Sequence, residues 1–113
     1  MDVVDFLLAR ISEDAEKSRE LLRRPFLSEA ERWYERRLLK ESEAKHAVVE
    51  IISAARQAAL ANMLRLDRLT ADLDHHAGHD ESAAGLQWTS LVLGALALPY
   101  AEHPDYQASW TDF

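Results

Sequence analysis

Between Pro25 and Gly78 the chain contains neither proline nor glycine. Proline ends a helix by removing a donor and clashing with the preceding turn, and glycine does so through its backbone freedom. A stretch this long without either predicts one long helix, or two joined by a polar kink. Its start is well marked. Ser28-Glu29-Ala30-Glu31 is a capping box, in which the Ser28 hydroxyl and the Glu31 carboxylate can each satisfy an orphan N–H, with Phe26 or Leu27 as a hydrophobic staple. Further on, Ala44, Val48, Ile51, Ala55, Ala58 and Asn62 recur at alternating intervals of four and three, a heptad seam. Leu66, Leu69 and Leu73 continue it after a one-residue slip.

A single helix from Glu29 to Leu73 is about 67 Å long at 1.5 Å per residue. A compact globule of this chain length is only about 35 Å across, from a radius of gyration near 13 Å. Either the helix breaks, near Glu41-Ser42-Glu43 or at Asn62, or the protein is elongated and borrows a partner's surface. The alanines at 54, 55, 58 and 59 permit close helix approach.

Two further helices flank this one. Val4, Leu7, Leu8, Ile11, Ala15, Ser18 and Leu22 follow the spacing of one helical face, predicting a helix over about 3–23 with Asp2 as its cap and Pro25 as its stop. Residues 72–82 read as a polar connection centred on Gly78. Beyond it, about 83–98 predicts a third helix that is apolar nearly all round, which implies burial on several sides. Three helices struggle to enclose such an element, so self-association is expected, with Asn62 fixing the register. Pro99 ends the third helix, and Tyr106 and Trp110 share one face of a final turn.

The totals restrict the function classes. At 113 residues the chain reads as one domain over 1–113. It has no cysteine, hence no disulfide, zinc-thiolate site or thiol nucleophile, which fits a reducing cytoplasm. The start lacks a signal-peptide pattern. Ser82 to Ala101 is free of charge for 20 residues, but its polar side chains, glycines and acidic flanks favour a buried core helix over a membrane span. Net charge is −7, and residues 69–113 hold seven acids and no Lys or Arg. That disfavours nucleic acid and anionic membrane as partners of this part and favours a basic protein surface.

Three segments resemble a known family. They are the opening from Asp2 to Asp14, the middle segment Leu39-Lys40-Glu41-Ser42-Glu43-Ala44-Lys45, and the tail Leu96-Ala97-Leu98-Pro99-Tyr100-Ala101-Glu102-His103-Pro104-Asp105-Tyr106. Together they are similar to the motifs of an uncharacterised family of short actinobacterial and actinophage proteins, the tail most specifically. The resemblance implies a cytoplasmic protein from an actinobacterium or its phage and carries no activity. Residues 47–90 match nothing in it.

Two constellations point to metal. Asp72, His75, His76 and His79 crowd together, and one-turn pairs of imidazole and carboxylate can hold Zn, Ni or Co. Gly78 interrupts that geometry, so a solvated turn is the plainer reading. Glu43 and His46 have the Glu-x-x-His spacing of di-iron bundles, with facing carboxylates available from Glu13, Glu16 or Glu20. That site requires the acids to face inward, whereas the seam puts Ala44 and Val48 there. The basic cluster Arg19, Arg23, Arg24, Arg32, Arg36, Arg37 and Lys40 can meet phosphates, but interleaved acids make ordinary surface salt bridges the expectation. No nucleophile motif and no glycine-rich phosphate loop occurs.

These readings converge on an all-α protein of three main helices in an elongated hairpin or bundle, completed by self-association as a homodimer. Its expected work is non-enzymatic: an accessory or regulatory protein that binds another protein, without nucleic acid, membrane or cofactor. The expected interface is Ala44, Val48, Ile51, Ala55, Ala58, Asn62, Trp88 and Trp110. The alternative is a divalent-metal protein using His75, His76, His79 and Asp72, or Glu43 with His46.

Overall fold

Apolar residues at helical spacing give three α-helices among the described residues: α1 (Val3–Leu22), α2 (Glu29–Leu69) and α3 (His76–Ala97). Two 3₁₀ turns follow, Leu98–Tyr100 and Ala108–Thr111. The computed structural model describes residues 1–69 and 76–112, and the side chains of all of these except 69 and 76–80. No strand occurs among the described residues. The chain divides into two compact units, Met1–Val49 and Glu50–Phe113.

In the first unit α1 buries Val3, Phe6, Leu7, Ile11, Ala15 and Ser18, a face at three-four spacing. Phe6 and Leu7 are fully enclosed. Each such side chain contributes about 1.5–3 kcal/mol of transfer free energy. Asp2 occupies the cap position in extended conformation, but its side chain makes no capping hydrogen bond. The other end of α1 is held from outside. Arg32 donates from Nη1 to the Leu22 carbonyl at 3.2 Å and from Nη2 to the Arg24 carbonyl at 3.1 Å. A guanidinium on the negative end of a helix satisfies carbonyls that the helix itself leaves orphaned. This contact, with residues 11–19 lying against 42–46, sets α1 and the first half of α2 antiparallel.

The Ser28 box forms in modified fashion. Ser28 Oγ accepts from the Glu31 amide at 3.1 Å, as expected, while the hydroxyl itself donates to the Glu31 carboxylate at 3.0 Å. Phe26 is 97% exposed and staples nothing. From there α2 runs 41 residues without interruption through both positions expected to break it. Its continuation to Leu73 lies outside the described residues.

The register of α2 corrects the sequence reading. Ser42 and Val49 are buried and His46 half-buried, whereas Ala44 and Val48 are exposed. The inward seam of the first unit therefore sits two positions from the expected one. Ser42 faces the small residues Ala15 and Ser18 of α1, so small side chains meet where the two helices face each other.

In the second unit α3 begins earlier than expected. Residues 76–82, read as part of a polar connection, are helical, and Gly78 lies inside the helix. A helical glycine costs only about 1 kcal/mol relative to alanine, which the sixteen expected helical residues beyond it can outweigh. Gly85 permits close packing of α2 and α3, since a Cβ built there would meet the Ala59 Cβ at 3.3 Å. Nearby, Asn62 Nδ2 donates to Ser82 Oγ at 2.8 Å. The enclosed Thr89 hydroxyl donates back to the Gly85 carbonyl at 2.8 Å. Past Pro99 the tail returns to α3, where Tyr106 and Trp110 meet edge to face at 5.6 Å, and Tyr106 Oη bonds Thr111 Oγ1 at 2.6 Å.

Candidate interaction surfaces

In the first unit a groove of about 320 Å³ lies between α1 and α2, lined by Ile11, Ser12, Ala15, Arg19, Ser42, Glu43 and His46. It exists because Ala15 and Ser42 are small where the helices face each other. Glu43 and His46 do share this groove, so the ground for setting aside their metal site, an inward Ala44 and Val48, does not hold. None of Glu13, Glu16 and Glu20, the carboxylates offered for that site, lines the groove. Glu13 pairs with Arg10 at 3.0 Å, and Glu16 with Arg23 at 3.4 Å and Arg19 at 3.6 Å. Arg19 enters the groove in their stead. Among the described residues no three His, Asp or Glu side chains converge as metal ligands do. Asp72 and His75 lie outside the described residues, as do the side chains of His76 and His79.

The basic cluster is only partly neutralised. Arg19 and Arg23 share Glu16, Arg37 pairs with Glu41 at 3.1 Å, and Arg32 caps α1. Arg36 and Lys40 make no ion pair or hydrogen bond among the described residues.

The largest feature of the second unit is its uncovered apolar surface. On α2, no residue from 50 to 68 is buried, although the segment holds Ile51, Ile52, Leu60, Met63, Leu64 and Leu66. Ile51 is 67% exposed and Leu64 50%. On α3, Ala84, Trp88, Leu91, Ala95 and Leu98 are all exposed and repeat at intervals of four and three. This outer stripe has no charged residue. The opposite side of α3 buries Ser82, Thr89, Leu93 and Ala97. The helix is thus covered on one side within the chain, not on several as its composition suggested.

Of the eight residues expected at an interface, three are exposed in the second unit and two in the first. Ala44, Val48, Ile51, Ala58 and Trp88 are exposed, and Ala55, Asn62 and Trp110 are half-buried. Asn62, expected to set an intermolecular register, is engaged by Ser82 of the same chain and by Arg65 Nη2 at 2.7 Å. The sequence reading missed Arg32 as a cap and the α3 stripe as an open face. The stripe's four-three spacing was legible, but a helix apolar all round offers several such lines.

Over residues 1–112 the chain matches a family of unknown function, DUF6221. The chain belongs to that family. Its match covers the opening, middle and tail segments singled out above and extends through residues 47–90. No curated protein and no solved structure matches the chain. Membership in DUF6221 assigns no activity, so function rests on the surfaces themselves.

Proposed function

We propose that this chain is a non-enzymatic protein-binding factor that completes its second unit by pairing with a second copy of itself. The observation carrying this is the bare second half of α2. By length and composition α2 is apolar enough to cross a membrane, yet only 6% of its most apolar 18-residue stretch is buried. Glu50, Arg56 and Arg65 punctuate that part of the helix. Charged groups at such spacing are costly in lipid and tolerable at the edge of a protein interface, so the occupant is protein.

A second copy suits the surface. Ile51, Leu60 and Leu64 on α2 and Trp88, Leu91 and Leu98 on α3 and the turn after it are each 40–67% exposed, large apolar side chains of the kind that the core of a protein interface covers. The α3 stripe itself carries no charge, so pairing along it buries no charged side chain. The paired factor is an accessory or regulatory protein of actinobacterial or phage origin, working in the cytoplasm through contacts with another protein. That origin rests on the motif resemblance alone.

Light scattering coupled to size exclusion tests the pairing. The expected result is a dimer that Ile51→Glu with Trp88→Glu converts to a folded monomer. A wild-type monomer at high protein concentration overturns it.

A further inference from the structure

Trp33, Arg36, Arg37, Lys40, Glu41 and Ala44 line an open groove of about 530 Å³ on α2 in the first unit. Trp33 is 61% exposed. The Arg37 guanidinium lies 5.6 Å from its ring centroid and is tied on its other side to Glu41 at 3.1 Å. Arg37 thus bridges the Trp33 ring and the Glu41 carboxylate along one face of α2. Arg36 and Lys40, one turn apart, are left with no acid partner among the described residues. Like charges at that spacing destabilise a helix slightly. The chain has 20 acids to 13 bases, so the pair is not short of possible partners in composition. An exposed tryptophan beside two cations without an acid partner among the described residues has the composition of an interface anchor.

We propose that this groove binds an acidic protein segment bearing one apolar residue. Two carboxylates of the segment meet Arg36 and Lys40, and its apolar side chain lies on Trp33. The tryptophan and the two cations together span about 10 Å of helix, the rise from residue 33 to residue 40. That length suits a short peptide. A polynucleotide track running further along α2 meets Glu29, Glu31, Glu41 and Glu43, all exposed, and is repelled. The proposal extends the protein-binding reading to a second surface and does not require the chain to dimerise.

The test is fluorescence anisotropy of a labelled short peptide of aspartate and glutamate around one leucine, at low salt, against the full chain. Saturable binding is expected, weakened about tenfold by Trp33→Ala and again by Arg36→Glu with Lys40→Glu, the loss of a single good contact being about tenfold. Glu41→Gln removes the competing carboxylate and is expected to tighten binding. Circular dichroism and light scattering on the same samples establish that fold and oligomeric state are unchanged, which separates this result from any failure of self-association. Absence of saturable binding overturns the proposal. So does equal affinity in folded variants, or tighter binding of oligothymidylate or phosphatidylglycerol vesicles than of the peptide.

Discussion

The Asn62 amide donates to the Ser82 hydroxyl at 2.8 Å, a polar pair joining α2 to α3. Ser82 is 6% exposed, so its hydroxyl depends on this contact more than the half-buried Asn62 does. A neutral hydrogen bond is worth about 0.5–1.5 kcal/mol net, and an orphaned buried group costs about 1–3 kcal/mol. Asn62→Ala is therefore expected to lose more stability than Ser82→Ala. A double-mutant cycle by urea denaturation should return a coupling of about 1 kcal/mol; additive single effects contradict an energetic link.

Gly85 opposes Ala59 at a distance that leaves little room for a methyl group. Replacing glycine by alanine inside a helix gains up to about 1 kcal/mol. The contact cancels part of that, because the Ala59 methyl cannot rotate away. Gly85→Ala is thus expected to stay within about 1 kcal/mol of the parent, a small residual after a propensity gain of similar size. Gly85→Leu forces the helices apart and should cost about 1–3 kcal/mol or more. A thermal scan that finds Gly85→Leu neutral removes the close α2–α3 approach.

Arg32 reaches two carbonyls at the end of α1, and both contacts are lost in Arg32→Ala. One is exposed and competes with water, so the expected cost is about 1 kcal/mol, below the usual range for buried charged hydrogen bonds. Hydrogen exchange should localise the loss to residues 19–24. Protection unchanged there contradicts the capping role.

Much of this was legible in the sequence because it depended on local chemistry. Ser28 and Glu31 start α2, Pro25 and Pro99 follow helix ends, and Tyr106 meets Trp110, all from near-neighbour rules. The seam was not legible, and Ser42 explains why. Along α2 several lines of small residues alternate by four and three, and the more apolar line through Ala44, Val48 and Ile51 faces outward. The inward line is chosen by fit against Ala15 and Ser18, a tertiary property. Arg32 escaped for a related reason: its partners are backbone carbonyls, which leave no signature in side-chain spacing. Gly78 misled because a breaker weighs more in a short window than in a long helix.

Phe6 and Ile51 separate the stability of one chain from that of a pair. Phe6 is fully enclosed, so Phe6→Ala is expected to cost about 3–5 kcal/mol whatever the protein concentration. Ile51 is 67% exposed within the chain, and its truncation there should be nearly neutral. If a second copy covers it, wild-type stability rises with concentration by mass action, by up to about 2.7 kcal/mol when the chain concentration is a hundredfold above the dissociation constant. Ile51→Ala should then track the wild type in dilute samples and fall below it in concentrated ones. Urea midpoints measured roughly a hundredfold apart in concentration, a span set by that mass-action term, decide the matter. Midpoints of wild type and Ile51→Ala that are both independent of concentration leave the apolar face without a second copy to cover it.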